Sequence, residues 1–474
     1  MVLAACSLTQ YQNTPLITGA ANPERRTIAP PSPDRPAILM AFSGGGTRAA
    51  ALAEAVLREM HATTYVGDDG VTHALTDDVR LISSVSGGSV TAAWFGLHGA
   101  DGLDTLRSDF LTQDNMRVLG LKAANPVTWF RLAFTSYTRI RVEEDLFDQE
   151  LFHNATMAEL NQPNRPFILP NTTDMAGGQT FAFSPQRFDD ICSSFDALPI
   201  STAVAASAAF PIALSPVDFQ NNSGQGCGGT LSSDDWATLA LKYEASAYIN
   251  LPGYRDARYT NDLRRGANPF RDIEYLHFLD GGLADNLGVK TLRSALISAN
   301  DRAGGLNAIN RGLIRKLVVI LVNARSDPPS GIYQQASTPG LIDAVNTVVS
   351  APIDANTANS QLALEALLSE LAKIAGGAKQ LNAGFKGLKV YGITVDYDQL
   401  PADTPAHRAL RDEAKDVPTS WTLTGPQLDV TERVGRFLLD RHPCYGRLLA
   451  DLGATRPADA EASIALPCLT SITE

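Results

Sequence analysis

Leu81-Ile82-Ser83-Ser84-Val85-Ser86-Gly87-Gly88-Ser89-Val90 is the stretch on which the reading of this 474-residue chain turns. An apolar, β-prone run ends in small residues, one serine stands between tight-turn positions, and a helical pattern follows through Thr91-Ala92-Ala93-Trp94-Phe95. A strand that passes into a helix through a sharp turn raises the residue at its tip, here Ser86. Such a turn needs small residues two before and two after the serine, because backbone and helix pass close there. Those positions are Ser84 and Gly88, so the pattern is G-x-S-x-G with its first glycine replaced. Alone, a serine-glycine cluster at a strand end is also the composition of an ordinary loop.

Composition sets the outer bounds. With 44% hydrophobic and 19% charged residues the chain has the make-up of a soluble globular protein. Its length allows one large α/β domain or two to three ordinary ones. The formal charge of −12 argues against a nucleic-acid partner, whose phosphates want a basic stripe. It also argues against electrostatic docking on anionic lipid, though not against apolar contact with a membrane. No transmembrane run is visible, since the most apolar candidate, Ala203 to Leu214, is too short to span and contains Ser207 and Pro211.

Five cysteines occur, none in a C-x-x-C pair and none with histidines at zinc spacing, so no metal is expected. With Cys6 set aside, local pairing of Cys192 with Cys227 and Cys444 with Cys468 is the simplest connectivity; four buried thiols are the alternative. Leu3-Ala4-Ala5-Cys6-Ser7 resembles the cleavage and acylation site of bacterial lipoproteins, with only five residues before the cysteine. Either a signal has been trimmed or the match is chance. The even cysteine remainder favours export, so the expected location is the bacterial cell envelope, membrane-associated and lipid-anchored through Cys6. A cytoplasmic protein is the alternative. Residues 1–35 then form an N-terminal tether rich in Pro, Asn and Thr.

Ala37 to Phe42 is a continuous apolar run, as in a buried parallel strand, and leads into Ser43-Gly44-Gly45-Gly46-Thr47-Arg48 and an alanine-rich helix. Three glycines there free the backbone to point several N–H groups one way, a phosphate cradle or an oxyanion hole. A Walker loop is excluded, because no G-K-[ST] closes the motif. Helices dominate a stretch of about 100–155, in which Trp129, Phe130, Leu132, Phe134 and Tyr137 are expected in the core; a cap that handles acyl chains is the sharper reading. Strands follow at 166–174, 179–183 and 275–279. The last ends in Asp280-Gly281-Gly282, a carboxylate at a strand's carboxyl end, where α/β folds place their sites. Lys316 to Val322 and Leu388 to Val395 are further strands, with helices expected about 341–349 and 358–374. The alternation gives a three-layer α/β/α fold with a mostly parallel central sheet and helical additions.

A nucleophile, a base and oxyanion donors are what acyl transfer requires, and the three sites supply each once. The sequence strongly resembles the patatin-like phospholipases, which carry G-G-G-x-R, G-x-S-x-G and D-G-[GA] in this order. Gly44-Gly45-Gly46-Thr47-Arg48, Ser84-Val85-Ser86-Gly87-Gly88 and Asp280-Gly281-Gly282 are the matching runs. The resemblance covers about Pro36 to Val322. It implies a catalytic domain at 36–325, with 326–474 as an extension on the same domain.

The resemblance further implies a Ser–Asp dyad without histidine. Ser86 attacks the ester, Asp280 takes its proton, and backbone N–H groups of Gly44, Gly45, Gly46 and Gly87 hold the oxyanion. Gly88, Gly281 and Gly282 are motif glycines. Arg48 steadies the loop or meets a lipid phosphate. No metal and no cofactor are implied. The expected partners are a lipid substrate and a membrane surface. A Ser-His-Asp esterase is the competing enzyme, since His407 and His442 lie downstream of Asp280, whereas His277 alternates to the opposite strand face. A non-catalytic lipid binder on the same fold is the reading from another class. Phospholipid, lysophospholipid, neutral glyceride and acyl thioester all present the same carbonyl.

Overall fold

The computed structural model describes residues 11–17, 20–22, 28–211, 213–223, 252–264, 273–297, 304–325, 336–338, 340–376, 383–464, 466 and 468. Cys6, Cys227 and the glycine-rich run after Ser223 lie outside the described residues. Ten strands are described: β1 (Ala37–Phe42), β2 (Thr64–Val66), β3 (Thr72–Ala74), β4 (Val79–Val85), β5 (Phe167–Asp174), β6 (Gln179–Ala182), β7 (Val217–Gln220), β8 (Tyr275–Asp280), β9 (Lys316–Asn323) and β10 (Lys389–Asp396). The helices used below are α1 (Gly46–Ala62), α2 (Gly87–His98), α3 (Pro126–Phe134), α4 (Arg139–Phe147), α5 (Ile200–Ser207), α6 (Val289–Ile297), α7 (Leu341–Gly376), α8 (Pro405–Lys415), α9 (Gly425–Arg441) and α10 (Pro443–Leu452).

The chain forms two compact units, each discontinuous in sequence. The larger comprises Arg26–Arg117, Leu160–Pro170 and Asp285–Glu474. Its centre is the parallel sheet that the apolar runs require, in the order β10-β9-β1-β4. Met40 lies in register with Ile82 on one side and Ile320 on the other. Leu39, Leu81, Val319 and Leu321 face one layer, where Leu292 and Leu296 of α6 and Leu364, Leu368 and Leu371 of α7 complete the core. α1, α9 and α10 cover the opposite face. There Gly435 of α9 lets that helix close on Leu52 and Ala55, and the Tyr391 hydroxyl donates to Asp451 at 2.5 Å. A mostly parallel sheet between helical layers is therefore the fold, as expected.

The smaller unit comprises Met1–Arg25, Val118–Glu159 and Asn171–Ala284. Its strands pair antiparallel: Asn171–Asp174 of β5 with β6, Thr172–Asp174 of β5 with β8, and β7 with β8. Its core is aromatic, with Phe181 and Phe219 against Phe278 at ring separations of 4.6 and 5.1 Å. A buried charged clamp ties its helices, Arg187 reaching Asp256 at 2.9 Å and Arg264 reaching Asp190 at 2.7 Å.

Within residues 326–474, expected as an extension on the same domain, β10 is hydrogen-bonded along β9 in the larger unit's sheet. The helical stretch 100–155 divides between the units at Arg117 and Val118. Residues 1–35 are not a free tether where they are described. The Asn22 side chain donates to Asp189 Oδ1 at 2.8 Å and accepts from the Phe195 N–H at 2.7 Å, and Ile28 is buried in the larger unit's core. Polar residues that read as solvated instead satisfy buried backbone groups. The two helices expected about 341–349 and 358–374 are one, α7, with Pro352 inside it at an exposed position. Water can take the carbonyl that the missing N–H leaves. The aromatic stretch also departs from expectation, since Trp129, Phe130 and Phe134 are 65%, 61% and 75% exposed.

Candidate active site

The larger unit carries two strand-to-helix turns side by side, at the ends of the adjacent parallel strands β1 and β4. After β4, Ser86 is held at φ 51° and ψ −124°, a left-handed conformation that L residues avoid, and α2 starts at the next residue. Ser86 is buried to 7% exposure. A Cβ on Gly87 would lie 1.9 Å from the Gly46 carbonyl oxygen, and one on Gly88 would lie 2.6 Å from that of Ser43. The two glycines after the serine are what let α2 start against the glycine turn. Ser84 has no positive φ, so its position does not demand glycine, and its hydroxyl accepts from Ser89 Oγ at 3.0 Å.

After β1, the glycine turn runs through Gly45 at φ 140° and Gly46 at φ 59° into α1. Gly44 does not present its N–H to a ligand, because that N–H donates to the Asn286 carbonyl at 3.0 Å. The expectation of Gly44 as an oxyanion donor is corrected accordingly. The N–H groups of Gly46 and Gly87 open α1 and α2, where no intrahelical acceptor exists. The turn is held from below by a segment ahead of α9. The Thr47 N–H donates to the Ser420 carbonyl at 2.8 Å, and Arg48 donates to the Val417 carbonyl at 2.6 Å and Thr419 Oγ1 at 2.8 Å. Arg48 is buried, and burial pulls its guanidinium pKa down from the ordinary value. Both bonds tie Arg48 to the segment beneath the glycine turn.

In the smaller unit, Asp280 ends β8 on the same strand face as Leu276 and Phe278, with 7% exposure. Its carboxylate Oδ1 accepts from the Gly282 N–H at 2.7 Å. Its own N–H donates to the Ala209 carbonyl at 2.9 Å, and the Gly281 N–H donates to the Ser207 carbonyl at 3.1 Å. The Thr173 hydroxyl donates to the Asp280 carbonyl at 2.8 Å. The D-G-G turn is thus stitched to β5 and to the end of α5, the small-residue helix that Phe210-Pro211 terminates. Asp285 has a separate task, accepting from the Lys290 N–H at 2.6 Å at the start of α6. Burial raises its carboxyl pKa.

The histidines have local partners of their own. His407 meets Asp403 at 2.6 Å and the Phe437 ring edge-on, and His277 meets Asp218 at 2.5 Å on the exposed strand face. His442 caps α10, its Nδ1 accepting from the Cys444 N–H at 3.2 Å. Cys444 is disulfide-bonded to Cys468, as local pairing predicts. Cys192 is also a disulfide cysteine, and its pairing with Cys227 falls outside the described residues. Sequence reasoning missed Asn286, Thr173, Val417, Thr419 and Ser420. Only Asn286 stood near a motif, four residues after Gly282.

A parallel α/β sheet with a serine raised on a strained strand-to-helix turn, next to a glycine turn, defines a protein of the nucleophile-elbow class. The chain belongs to the patatin-like phospholipase family, whose model matches residues 40–293, more than half of its length and all three motifs. Among curated proteins none matches it. Among solved structures it is similar to human GIVD cytosolic phospholipase A2, at 11% identity and a TM-score of 0.40, over 88% of this chain and 62% of that one. It is also similar to VipD from Legionella pneumophila, at 10% identity and a TM-score of 0.28, over 90% of this chain and 75% of that one.

Proposed function

We propose that the chain is a serine acyl hydrolase that cleaves fatty-acyl esters of lipids through Ser86, Asp280 and an acyl-enzyme. The observation that carries this reading is the backbone of Ser86, a non-glycine residue at φ 51° between β4 and α2. Such strain costs about 1–3 kcal/mol and persists where the surroundings over-determine it, most often at a functional residue. Family membership supplies the reaction class.

In this mechanism Asp280 accepts the Ser86 hydroxyl proton, directly or through a water, as Oγ adds to the ester carbonyl. The tetrahedral oxyanion is met by the N–H groups of Gly45, Gly46 and Gly87, each worth about 2.7–4 kcal/mol in the transition state. The proton passes from Asp280 to the leaving alcohol as the acyl–oxygen bond breaks. Water then adds to the acyl-serine, again giving its proton to Asp280, and the fatty acid departs as Ser86 is regenerated. A fluorophosphonate probe is expected to label Ser86. Ser86→Ala and Asp280→Asn are each expected to lower ester turnover by about 10³-fold or more. Loss of turnover in His407→Ala or His442→Ala with Asp280→Asn active would establish a histidine mechanism instead. Folded protein that takes no label would be a lipid binder.

We further propose an exported, envelope-associated location. The reading is supported by the Cys444–Cys468 disulfide, a bond that persists in oxidising compartments. Cysteines 444 and 468 are expected to resist alkylation in protein denatured straight from cells without reductant.

A further inference from the structure

α3 carries its apolar residues on the wrong side for a soluble protein. Its one buried residue is Thr128, and Leu132, one turn on, is half-buried. At 100° per residue these two fix the inward direction. Trp129, Ala133, Phe130, Phe134 and Val127 then sweep an outward arc of about 160°, with Phe130 at its centre. All five are exposed, and the Phe130 and Phe134 rings stand 5.0 Å apart in solvent. An outward face made wholly of apolar residues, two of them Phe and one Trp, marks an interaction surface.

Charge says what covers it. Residues 118–142 contain Lys122, Arg131, Arg139 and Arg141 and no acidic residue, in a chain whose formal charge is −12, and of these Arg141 is paired with Glu144 at 2.9 Å. Arg131 flanks the apolar arc, 47% exposed, with its guanidinium 3.6 Å from the Tyr137 ring centroid and 3.8 Å from Asp145, and Leu121 is exposed ahead of the helix. A short helix with aromatic residues outward and basic residues at its edges suits the boundary between acyl chains and anionic headgroups. No described helix is long and apolar enough to cross a membrane. We infer that α3 is the segment by which the protein docks, lying in the plane of an anionic lipid surface.

The position of α3 in the smaller unit gives the docking a purpose. A four-residue loop leads into α4, whose Glu144 accepts from the Thr202 hydroxyl of α5 at 2.5 Å. The chain leaving α5 in turn holds the Asp280 and Gly281 N–H groups through the Ala209 and Ser207 carbonyls. The inference rests on the lipid-hydrolase reading for the identity of the substrate. Its test does not depend on turnover.

The test uses the full chain carrying Ser86→Ala and flotation with vesicles of phosphatidylcholine alone or with phosphatidylglycerol. The parent is expected to bind the anionic vesicles. Adding Trp129→Ser, Phe130→Ser and Phe134→Ser is expected to lower partitioning more than about 100-fold with an unchanged thermal midpoint. Arg131→Gln is expected to weaken binding to the anionic vesicles only. With Ser86 restored, the triple variant keeps its turnover of a soluble short-chain ester. Absent binding by the parent, or equal binding by the triple variant, overturns the inference. So does a parent dimer that the triple substitution makes monomeric, since the face then covers a second copy.

Discussion

A Cβ placed on Gly87 lies 1.9 Å from the carbonyl oxygen of Gly46, so the turn after Ser86 and the glycine turn before α1 touch backbone to backbone. No side chain can be accommodated there without moving one turn against the other. Gly87→Ala is therefore expected to destabilise the protein by at least about 1–3 kcal/mol. Because the proposed mechanism draws oxyanion donors from both turns, kcat/KM is expected to fall about 10²-fold or more. Gly425→Ala, where an added Cβ meets nothing within 4 Å, serves as the silent control. Chemical denaturation and ester kinetics on the two variants check this.

Ser84 stands where the family has glycine, and its backbone is not left-handed. What the position limits is size, since the residue is fully buried and its hydroxyl receives a bond from Ser89. Ser84→Gly is expected to change stability by about 1 kcal/mol or less and to keep activity. Ser84→Val is expected to cost about 1–3 kcal/mol through overpacking. An active-site titration with a fluorophosphonate probe, run beside thermal melts, separates folding from chemistry. If glycine raised turnover tenfold, serine would be a handicap there.

The motifs at Gly44–Gly46, Ser86 and Asp280 were legible because each is short, local and bound to a strand end. The parallel strands were legible because burial on both faces leaves continuous apolar runs such as Lys316 to Val322. What supports the motifs was not. Val417, Thr419 and Ser420 reach the glycine turn from more than 350 residues away, and no local pattern marks a backbone carbonyl as an acceptor. β7 escaped notice because Val217–Gln220 is four residues long, too short for a period to show. Trp129, Phe130 and Phe134 were misplaced into the core because periodicity reports which residues share a face and not which way that face points.

Arg48 distinguishes a supporting role from a substrate-binding one. Its guanidinium is spent on the Val417 carbonyl and Thr419 hydroxyl beneath the glycine turn. Arg48→Ala is expected to cost about 2–4 kcal/mol, for the lost charge-assisted bonds and the buried acceptors left behind. Activity should fall by the same factor on a phospholipid and on an uncharged short-chain ester, because the defect is in the turn. A loss confined to the phospholipid would place a phosphate on Arg48 after all.

His442 links a stability measurement to the choice between mechanisms. Burial lowers its pKa from 6.5 to about 4, and its neutral Nδ1 accepts the Cys444 N–H that caps α10. A folded-state pKa below the unfolded one means the fold favours the neutral ring. The contribution is whole above about pH 6.5 and is lost as pH falls toward 4, on the order of 3 kcal/mol in all. His442→Ala should cost about 1 kcal/mol at pH 7 for the missing cap and flatten the decline in stability between those pH values. Under the Ser–Asp mechanism its ester turnover at pH 7 stays within about twofold of the parent. Urea titrations at pH 4, 5, 6 and 7 with parallel assays read both effects from one variant. A variant with the flattened stability profile and no turnover would make His442 the base and remove Asp280 from that role.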